Sequence, residues 1–239
     1  MNLILFDRAE INLPLPIGDT RAVHILSVLR RQIGDTFDAG LLNGPRGKGI
    51  LVGIKADCLE LKYDWTDEPI AADPIKLVIG LPRPQTARKI LQEATTMGVA
   101  ELHFVRTNRS EPSYADSTLW RTDEWQKHVA TGAAQAFCTR VPMVSSKSSL
   151  KETLSQLPQS GTRIALDNYE APIALSKCHG LRDTSVVMAF GPERGWSAEE
   201  RDWLRENGFV FAHLGSRVLR LETAIVAALA LLKAQRGAM

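Results

Sequence analysis

The hydrophobic pattern of the chain changes near residue 75. From there on, short and almost wholly apolar segments alternate with segments whose apolar residues recur at helical spacing. The apolar segments predict β-strands at 75–81, 101–106, 163–167, 185–190 and 209–215. The other segments predict helices at 85–97, 117–137, 149–156, 197–207 and 222–235. Buried strands that alternate with helices indicate an α/β domain with a parallel sheet covered on both faces.

Residues 1–68 instead alternate polar and apolar positions between turns that contain Gly and Pro, which is typical of a small β-rich domain. One helix is predicted over 20–30, with Asp19 as its N-cap. An acidic, proline-containing stretch without periodicity, 64–74, marks the end of this domain. The predicted division is a first domain at 1–68, a linker at 69–74 and a second domain at 75–239.

Composition narrows the class of protein. The chain has 239 residues, of which 44% are hydrophobic and 23% are charged, as in ordinary globular proteins. Its net charge of +2 is compatible with nucleic-acid binding but does not by itself indicate it. The three cysteines lie far apart and form no cluster with histidine, so we expect no metal and a reducing, cytoplasmic location. No apolar run approaches the ~18 residues of a membrane span, so we expect no membrane partner.

The sequence GPERGWSAEE, from Gly191, follows the predicted strand 185–190, at the end where parallel sheets bind ligands. Gly191 and Gly195 permit a sharp turn and a close approach of ligand to backbone. Neither this stretch nor GPRGKG at 44–49 has the spacing of a dinucleotide fold or a P-loop. A tight strand–helix turn without a ligand therefore stays open as the alternative.

The sequence LGSRVLRLETAIVAALALL, from Leu214, joins a strand end to an alanine-rich core helix. Glu222 or Thr223 suits a helix N-terminus, where capping and the helix dipole favour such groups. Arg220 does not suit it, because a cation lies at the positive end of the dipole. Unless Arg220 pairs with Glu222 or a distant carboxylate, it indicates an anionic or polar ligand.

Taken together, the two stretches resemble the C-terminal signature of the RsmE family of SPOUT-class methyltransferases, which modify N3 of a uridine in small-subunit (16S) ribosomal RNA. GPERGWSAEE matches a pattern close to GPEGG-S-x-x-E, and LGSRVLRLETA matches LG-x-RVLR-x-ETA. Four further stretches are similar to family segments: HILSVLR, TTMGV, RTNRSEPS and AAQAFCTRVP.

The resemblance implies a PUA-like barrel domain followed by a SPOUT domain with a deep trefoil knot, in a homodimer. It implies S-adenosylmethionine as cofactor and ribosomal RNA or the small ribosomal subunit as partner. The implied cofactor-binding residues are Leu166, Gly191, Pro192, Glu193, Gly195, Leu214, Gly215, Leu219, Leu221, Thr223 and Ala224. An RNA partner requires basic residues, and the candidate contacts are His24, Arg30, Arg31, Arg109, Arg140 and Arg217. Of these, Arg109 and Arg140 match family positions, while Arg217 could instead face the partner subunit or water.

The resemblance also gives Arg220 and Glu222 catalytic roles. Uracil N3 carries a proton, and its loss spreads negative charge onto the two carbonyl oxygens. Arg220 would donate to such an oxygen as the charge develops, while Glu222 would orient Arg220 or accept the proton.

The sequence departs from the family pattern at Glu93 and Thr96, at Arg194, and at Ala134, Phe137 and Cys138. These departures keep two alternatives open. One is the same enzyme class with a different RNA target, and the other is a non-catalytic RNA-binding module with this fold.

Overall fold

The computed structural model of the protein describes residues 3–158, 160–179, 181–182 and 185–237. The chain divides into two compact units. The first unit comprises Met1–Ala71 and Ala130–Val141, and the second comprises Ala72–Val129 and Pro142–Met239.

The first unit is built on a five-stranded sheet, as far as the described residues show, in the order β1-β3-β4-β5-β2. Its strands are β1 (Ile4–Phe6), β2 (Leu15–Pro16), β3 (Thr36–Leu41), β4 (Arg46–Ile54) and β5 (Cys58–Asp67). β1 runs parallel to β3, and the other neighbours are antiparallel. The sheet closes over a core that includes Phe6, Ile25, Phe37, Leu51 and Leu59. The β-rich character predicted for this part of the chain is therefore confirmed.

The helix predicted over 20–30 is α-helical only over α1 (Thr20–Val23) and continues as a π-helical turn, His24–Val28. The predicted N-cap is confirmed, since the Asp19 side chain accepts a hydrogen bond of 2.8 Å from the backbone N–H of Arg21. Val23, Ile25 and Val28 are β-branched and favour a regular α-helix less than straight-chain residues do. The chain then leaves the helix at Arg30, whose φ is +53°.

An ion-pair cluster ties α1 to the preceding loop. The Arg21 guanidinium lies 2.8 Å from Glu10 and 2.7 Å from Asp19, and 5.0 Å above the Phe6 ring. The hydrogen bonds from Arg21 lower the pKa of both carboxylates. The Arg21 side chain therefore has a structural role within the first unit.

The segment 130–141 packs within the first unit although it is far from 1–71 in sequence. The N–H of Leu3 donates to the Ala134 carbonyl at 3.2 Å, and the N–H of Asn43 donates to the Thr139 carbonyl at 2.8 Å. Arg46 reaches the Phe137 carbonyl at 3.0 Å and lies over the Phe137 ring. All of the AAQAFCTRVP stretch except Pro142, including three of the departures from the family pattern, therefore belongs to the first unit.

The second unit contains a seven-stranded sheet within the described ranges, and its strand order is β10-β12-β9-β11-β6-β7-β8. Its strands are β6 (Asp73–Gly80), β7 (Val99–Val105), β8 (Met143–Ser145), β9 (Thr162–Leu166), β10 (Ile173–Ala174), β11 (Val186–Phe190) and β12 (Val210–His213). Every neighbouring pair is parallel. The predicted parallel sheet is confirmed. The two added edge strands, β8 and β10, are too short to leave a periodic pattern.

The helices of the chain beyond α1 are α2 (Pro84–Thr96), α3 (Thr118–Arg121), α4 (Trp125–Gln135), α5 (Leu150–Gln156), α6 (Ala198–Glu206) and α7 (Leu221–Gln235). The single helix predicted over 117–137 is wrong, because the chain breaks between α3 and α4, where Asp123 has a φ of +55°. Both predicted capping boxes are present, Ser149 with Glu152 on α5 and Ser197 with Glu200 on α6. None of the described helices is long and apolar enough to cross a membrane.

Candidate active site

Three neighbouring strands of the second unit end side by side at the same edge of the sheet. In the parallel register, Leu166 of β9 pairs with Phe190 of β11 on one side and with Ala212 of β12 on the other. The loops that follow are 167–172 (the first loop), 191–197 (the second loop) and 214–220 (the third loop). Because the three strands are parallel, these loops converge at the same edge of the sheet, where α/β proteins bind ligands.

The converging loops enclose an open cleft of about 170 Å³. Its walls include nine of the residues expected to hold the cofactor: Leu166, Gly191, Pro192, Glu193, Gly195, Leu214, Leu219, Leu221 and Ala224. Gly215 and Thr223 are outside the cleft lining. The structure adds lining residues that sequence reasoning missed, among them Asp167, Tyr169, Trp196, His213 and Val218. Arg194, a departure from the family pattern, also lines the cleft.

The first loop is held by the buried carboxylate of Asp167. One oxygen accepts the backbone N–H groups of Tyr169 at 2.6 Å and Glu170 at 2.8 Å. The other accepts from Nε of Arg201 on α6 at 2.9 Å, in a pair whose side chains are 2% and 8% exposed. A charged hydrogen-bonded pair in this position fixes the loop backbone relative to α6.

The second loop is a tight turn that needs both of its glycines. Gly195 has a φ of +68°, and its N–H donates to the Pro192 carbonyl at 2.7 Å. A Cβ on Gly191 would lie 3.0 Å from the Gly195 carbonyl carbon, so a side chain there would push the turn apart. Trp196, fully buried, donates from Nε1 to the Leu166 carbonyl at 3.2 Å and joins this loop to the end of β9.

A further segment, Thr107–Ser110, braces the second loop. The N–H of Asn108 donates to the fully buried carboxylate of Glu200 at 2.6 Å, and the other Glu200 oxygen accepts from the Ser197 N–H at 2.8 Å. Arg109 donates from Nη1 to the Arg194 carbonyl at 2.8 Å. The capping box of α6 therefore serves a second purpose, since it anchors a loop 92 residues away along the chain.

The third loop carries Arg220 to the start of α7. Its carbonyl accepts the first helical hydrogen bond, from the Ala224 N–H at 2.8 Å. The guanidinium is exposed and has no hydrogen bond or ion pair with any residue that the structure describes. Leu219 and Leu221, on either side of it, line the cleft, although Arg220 itself does not. This arrangement leaves a free cation beside the cleft mouth.

Glu222 has a different partner from the one considered in the sequence. Its carboxylate lies 3.3 Å from Nζ of Lys89 on α2. Glu222 has no hydrogen bond or ion pair with Arg220, as far as the described residues show, so the hypothesis that Glu222 orients Arg220 has no geometric support.

The residues expected to bind RNA are distributed over both units. His24, Arg30, Arg31 and Arg140 belong to the first unit, and Arg109 and Arg217 belong to the second. Arg30, Arg31 and Arg217 are exposed and have no side-chain partner among the described residues. His24 and Arg140 are half-buried. By contrast, Arg46 pairs with Asp67 and Lys48 pairs with Asp38, so these two cations are partly neutralised.

The described residues contain no group of three or more His, Cys, Asp or Glu side chains that could hold a metal ion. All three cysteines are free thiols.

Comparison with known proteins confirms the family resemblance seen in the sequence. Residues 69–233 match the family model of the RNA methyltransferase domain. The chain is 32% identical to the ribosomal RNA small subunit methyltransferase E of Treponema pallidum, over all of this chain and 92% of that protein. It is 28% identical to the methyltransferase E 1 of Borreliella burgdorferi, over 95% of each.

A solved structure of the Neisseria gonorrhoeae ribosomal RNA small subunit methyltransferase E, bound to S-adenosyl methionine, is similar over 98% of both chains, with a TM-score of 0.75 and 25% identity. The similarity in fold therefore extends over both units. The chain belongs to the ribosomal RNA small subunit methyltransferase E family, within the RNA methyltransferases.

Proposed function

We propose that this protein transfers a methyl group from S-adenosylmethionine to N3 of a uridine in small-subunit ribosomal RNA. The observation that carries the proposal is the cleft at the ends of β9, β11 and β12. It is formed by three loops, two of which carry the family signature, and nine residues expected to hold the cofactor line it. Arg220, exposed and without a partner among the described residues, lies next to it.

The residues of the cleft fit this cofactor. Gly191 and Gly195 leave backbone groups accessible to an adenosine, and Leu166, Leu214 and Leu219 supply apolar walls for its ring. Ligand sites of this kind combine mostly apolar walls with a few fixed polar groups. When bound, the cofactor supplies an activated methyl group on a sulfonium, so the protein's main task is to position the acceptor nitrogen.

Arg220 is the proposed catalytic residue. As the N3 proton is lost, negative charge develops on the uracil carbonyl oxygens, and a guanidinium N–H can donate a charge-assisted hydrogen bond to such an oxygen. Removal of one donor from a site of this type costs about 10²–10³ in kcat in well-studied enzymes. The freedom of Arg220 from other partners supports this role, because a paired arginine would have to break its pair first.

The proposed role of Glu222 depends on its ion pair with Lys89. Their ion pair fixes the charge at the N-terminus of α7, where a carboxylate interacts favourably with the helix dipole. Direct acceptance of the N3 proton by Glu222 is the alternative role.

Family membership supports finer proposals about the architecture. We infer that the first unit is PUA-like, that the β9–β12 region forms a deep trefoil knot and that the protein is a homodimer. For the domains we propose 1–68, a linker at 69–74 and 75–239. β5 ends at Asp67, whereas β6 begins at Asp73, within the proposed linker, and segment 130–141 lies in the first compact unit. His24, Arg30, Arg31, Arg109, Arg140 and Arg217 are the proposed RNA contacts, in a cytoplasmic enzyme.

Two measurements on the purified protein test the proposal. Titration calorimetry should show that S-adenosylmethionine binds, and labelled cofactor should pass its methyl group to small-subunit RNA or to the small subunit. Absence of binding at millimolar cofactor would overturn the enzyme assignment. Cofactor binding with methyl transfer only to another RNA would retain the enzyme class and replace the target.

A further inference from the structure

Two large apolar side chains at the cleft are exposed to an unusual degree. Tyr169 of the first loop and Val218 of the third loop are each 80% exposed, more than any other large apolar residue in the described part of the chain. Both line the cleft. Single exposed apolar residues are common on protein surfaces. Two such extremes at one cleft mouth indicate a surface that a ligand covers.

The Tyr169 backbone is rigidly held despite the exposure of its ring. Its N–H is bound by the buried Asp167 carboxylate at 2.6 Å, and Asp167 is fixed in turn by Arg201. The Arg201 guanidinium lies 5.6 Å from the centre of the Tyr169 ring. Tyrosine has few rotatable bonds, so a ring on a fixed backbone provides contact area at a small cost in conformational entropy.

The ring stands beside the glycine turn. Its Cε2 atom is 3.9 Å from the position that a Cβ on Gly195 would occupy. The apolar walls inside the cleft suit the adenine of the cofactor. A ring at the exposed rim is instead placed to contact the RNA substrate, which approaches from solvent. A planar pyrimidine, flipped out of an RNA chain, is the ligand that gains most from a flat aromatic surface.

We propose that Tyr169, next to Val218, forms a stacking surface for the target uracil and holds it in position for methyl transfer. This inference rests on the proposed function, and it adds a specificity residue outside the two signature loops. Stacking would hold the uracil parallel to the Tyr169 ring. Arg220 would donate a hydrogen bond to a carbonyl oxygen at the edge of the base.

Three substitutions test the proposal in the full-length protein: Tyr169→Phe keeps the ring, Tyr169→Leu keeps apolar bulk without a flat face, and Tyr169→Ala removes both. The readouts are kcat and KM for small-subunit RNA, the Kd for S-adenosylmethionine and the sedimentation coefficient. We expect Tyr169→Ala to raise the RNA KM by about tenfold, the order expected for loss of one base–aromatic stack. Tyr169→Leu should fall close to Tyr169→Ala, and Tyr169→Phe close to wild type, with cofactor Kd unchanged in all three.

Several results would overturn the stacking role. The first is an RNA KM that is unchanged in Tyr169→Ala, and the second is a Tyr169→Ala variant that binds the cofactor more weakly at a normal RNA KM. The third is an RNA KM that is the same in Tyr169→Leu and Tyr169→Phe. The fourth is a lower sedimentation coefficient in the variants, which would show that an oligomer has dissociated. Because Tyr169 is exposed, the variants should keep the wild-type melting temperature. Failure of the proposed function is distinguishable, since the wild-type protein itself would then transfer no methyl group.

Discussion

Nζ of Lys89 lies 3.3 Å from a carboxylate oxygen of Glu222, so the acid that follows Arg220 by two positions is paired with a residue of α2. Arg220 is left exposed and without a partner among the described residues. A lone cation at the N-terminus of α7 is electrostatically unfavourable by roughly 0.3–1 kcal/mol. A role toward a ligand explains why the chain places it there.

Substitution of Arg220 should therefore affect catalysis and spare the fold. We expect Arg220→Ala to lower kcat by about 10²–10³, with little change in the melting temperature or in the Kd for S-adenosylmethionine. Steady-state methyl transfer, calorimetry and thermal unfolding measure the three quantities.

Arg217→Ala is the matched control for Arg220, because it removes an exposed, unpartnered arginine from the same loop. As a proposed RNA contact, Arg217 should affect the KM for RNA and its salt dependence more than kcat. Equal losses of kcat in both variants would refute a specific role for Arg220.

The role of Glu222 can be separated from that of its partner. If Glu222 acts through its ion pair, Glu222→Gln and Lys89→Met should lower kcat by the same small factor, at most about threefold, because exposed pairs of this kind contribute little. A large loss in Glu222→Gln alone would instead identify Glu222 as a direct participant, such as the proton acceptor.

Glu200 lies outside the cleft lining but holds the second loop in place, so we expect its substitution to weaken cofactor binding. Glu200→Ala leaves two part-buried backbone donors, Asn108 N–H and Ser197 N–H, without their acceptor. An unsatisfied donor costs about 1–3 kcal/mol when it is fully buried, and less when it is partly exposed. We expect the cofactor Kd to rise about tenfold, equivalent to about 1.4 kcal/mol. Glu152→Ala, in the corresponding capping box of α5, should lower the melting temperature slightly and leave the cofactor Kd unchanged.

Acid should destabilise the protein partly through the Arg21 cluster. Arg21 lowers the pKa of Glu10 below 4.5 and of Asp19 below 3.8, the values that apply in an unfolded chain. Groups with a depressed folded-state pKa stabilise the fold above their unfolded pKa, and this stabilisation is lost as the pH falls through the folded value. The free energy of unfolding should therefore drop below about pH 4.5.

An Arg21→Met variant checks this assignment. It should be less stable than wild type near neutral pH, and the difference between the two should shrink as the pH falls toward about 3. Urea unfolding at several pH values measures it. A difference that stays constant with pH would show that packing over Phe6, rather than charge, is what Arg21 contributes.

Much of the second unit could be predicted because its central strands are almost wholly apolar and its helices carry caps, as at Ser149 and Ser197. The short edge strands β8 and β10 could not, since two or three residues leave no periodicity. The break before α4 depends on a single residue, Asp123, in a left-handed conformation. Sequence reasoning had no basis for placing a break there.

The site was predictable where residues are neighbours in sequence and unpredictable where they are not. Gly191, Gly195 and Leu219 could be identified from their loops. The bond between Asn108 and Glu200 spans 92 positions, and the contact of segment 130–141 with Leu3 depends on the packing of the first unit. The partner of Glu222 was missed for the same reason, because Lys89 is 133 positions away.

Mass mapping of small-subunit ribosomal RNA from cells that lack the gene tests the central claim most directly. The proposed function predicts that one uridine loses a methyl group at N3, that the wild-type gene restores it and that the Arg220→Ala gene does not. Small-subunit RNA with the same methyl groups in the presence and absence of the gene would contradict it.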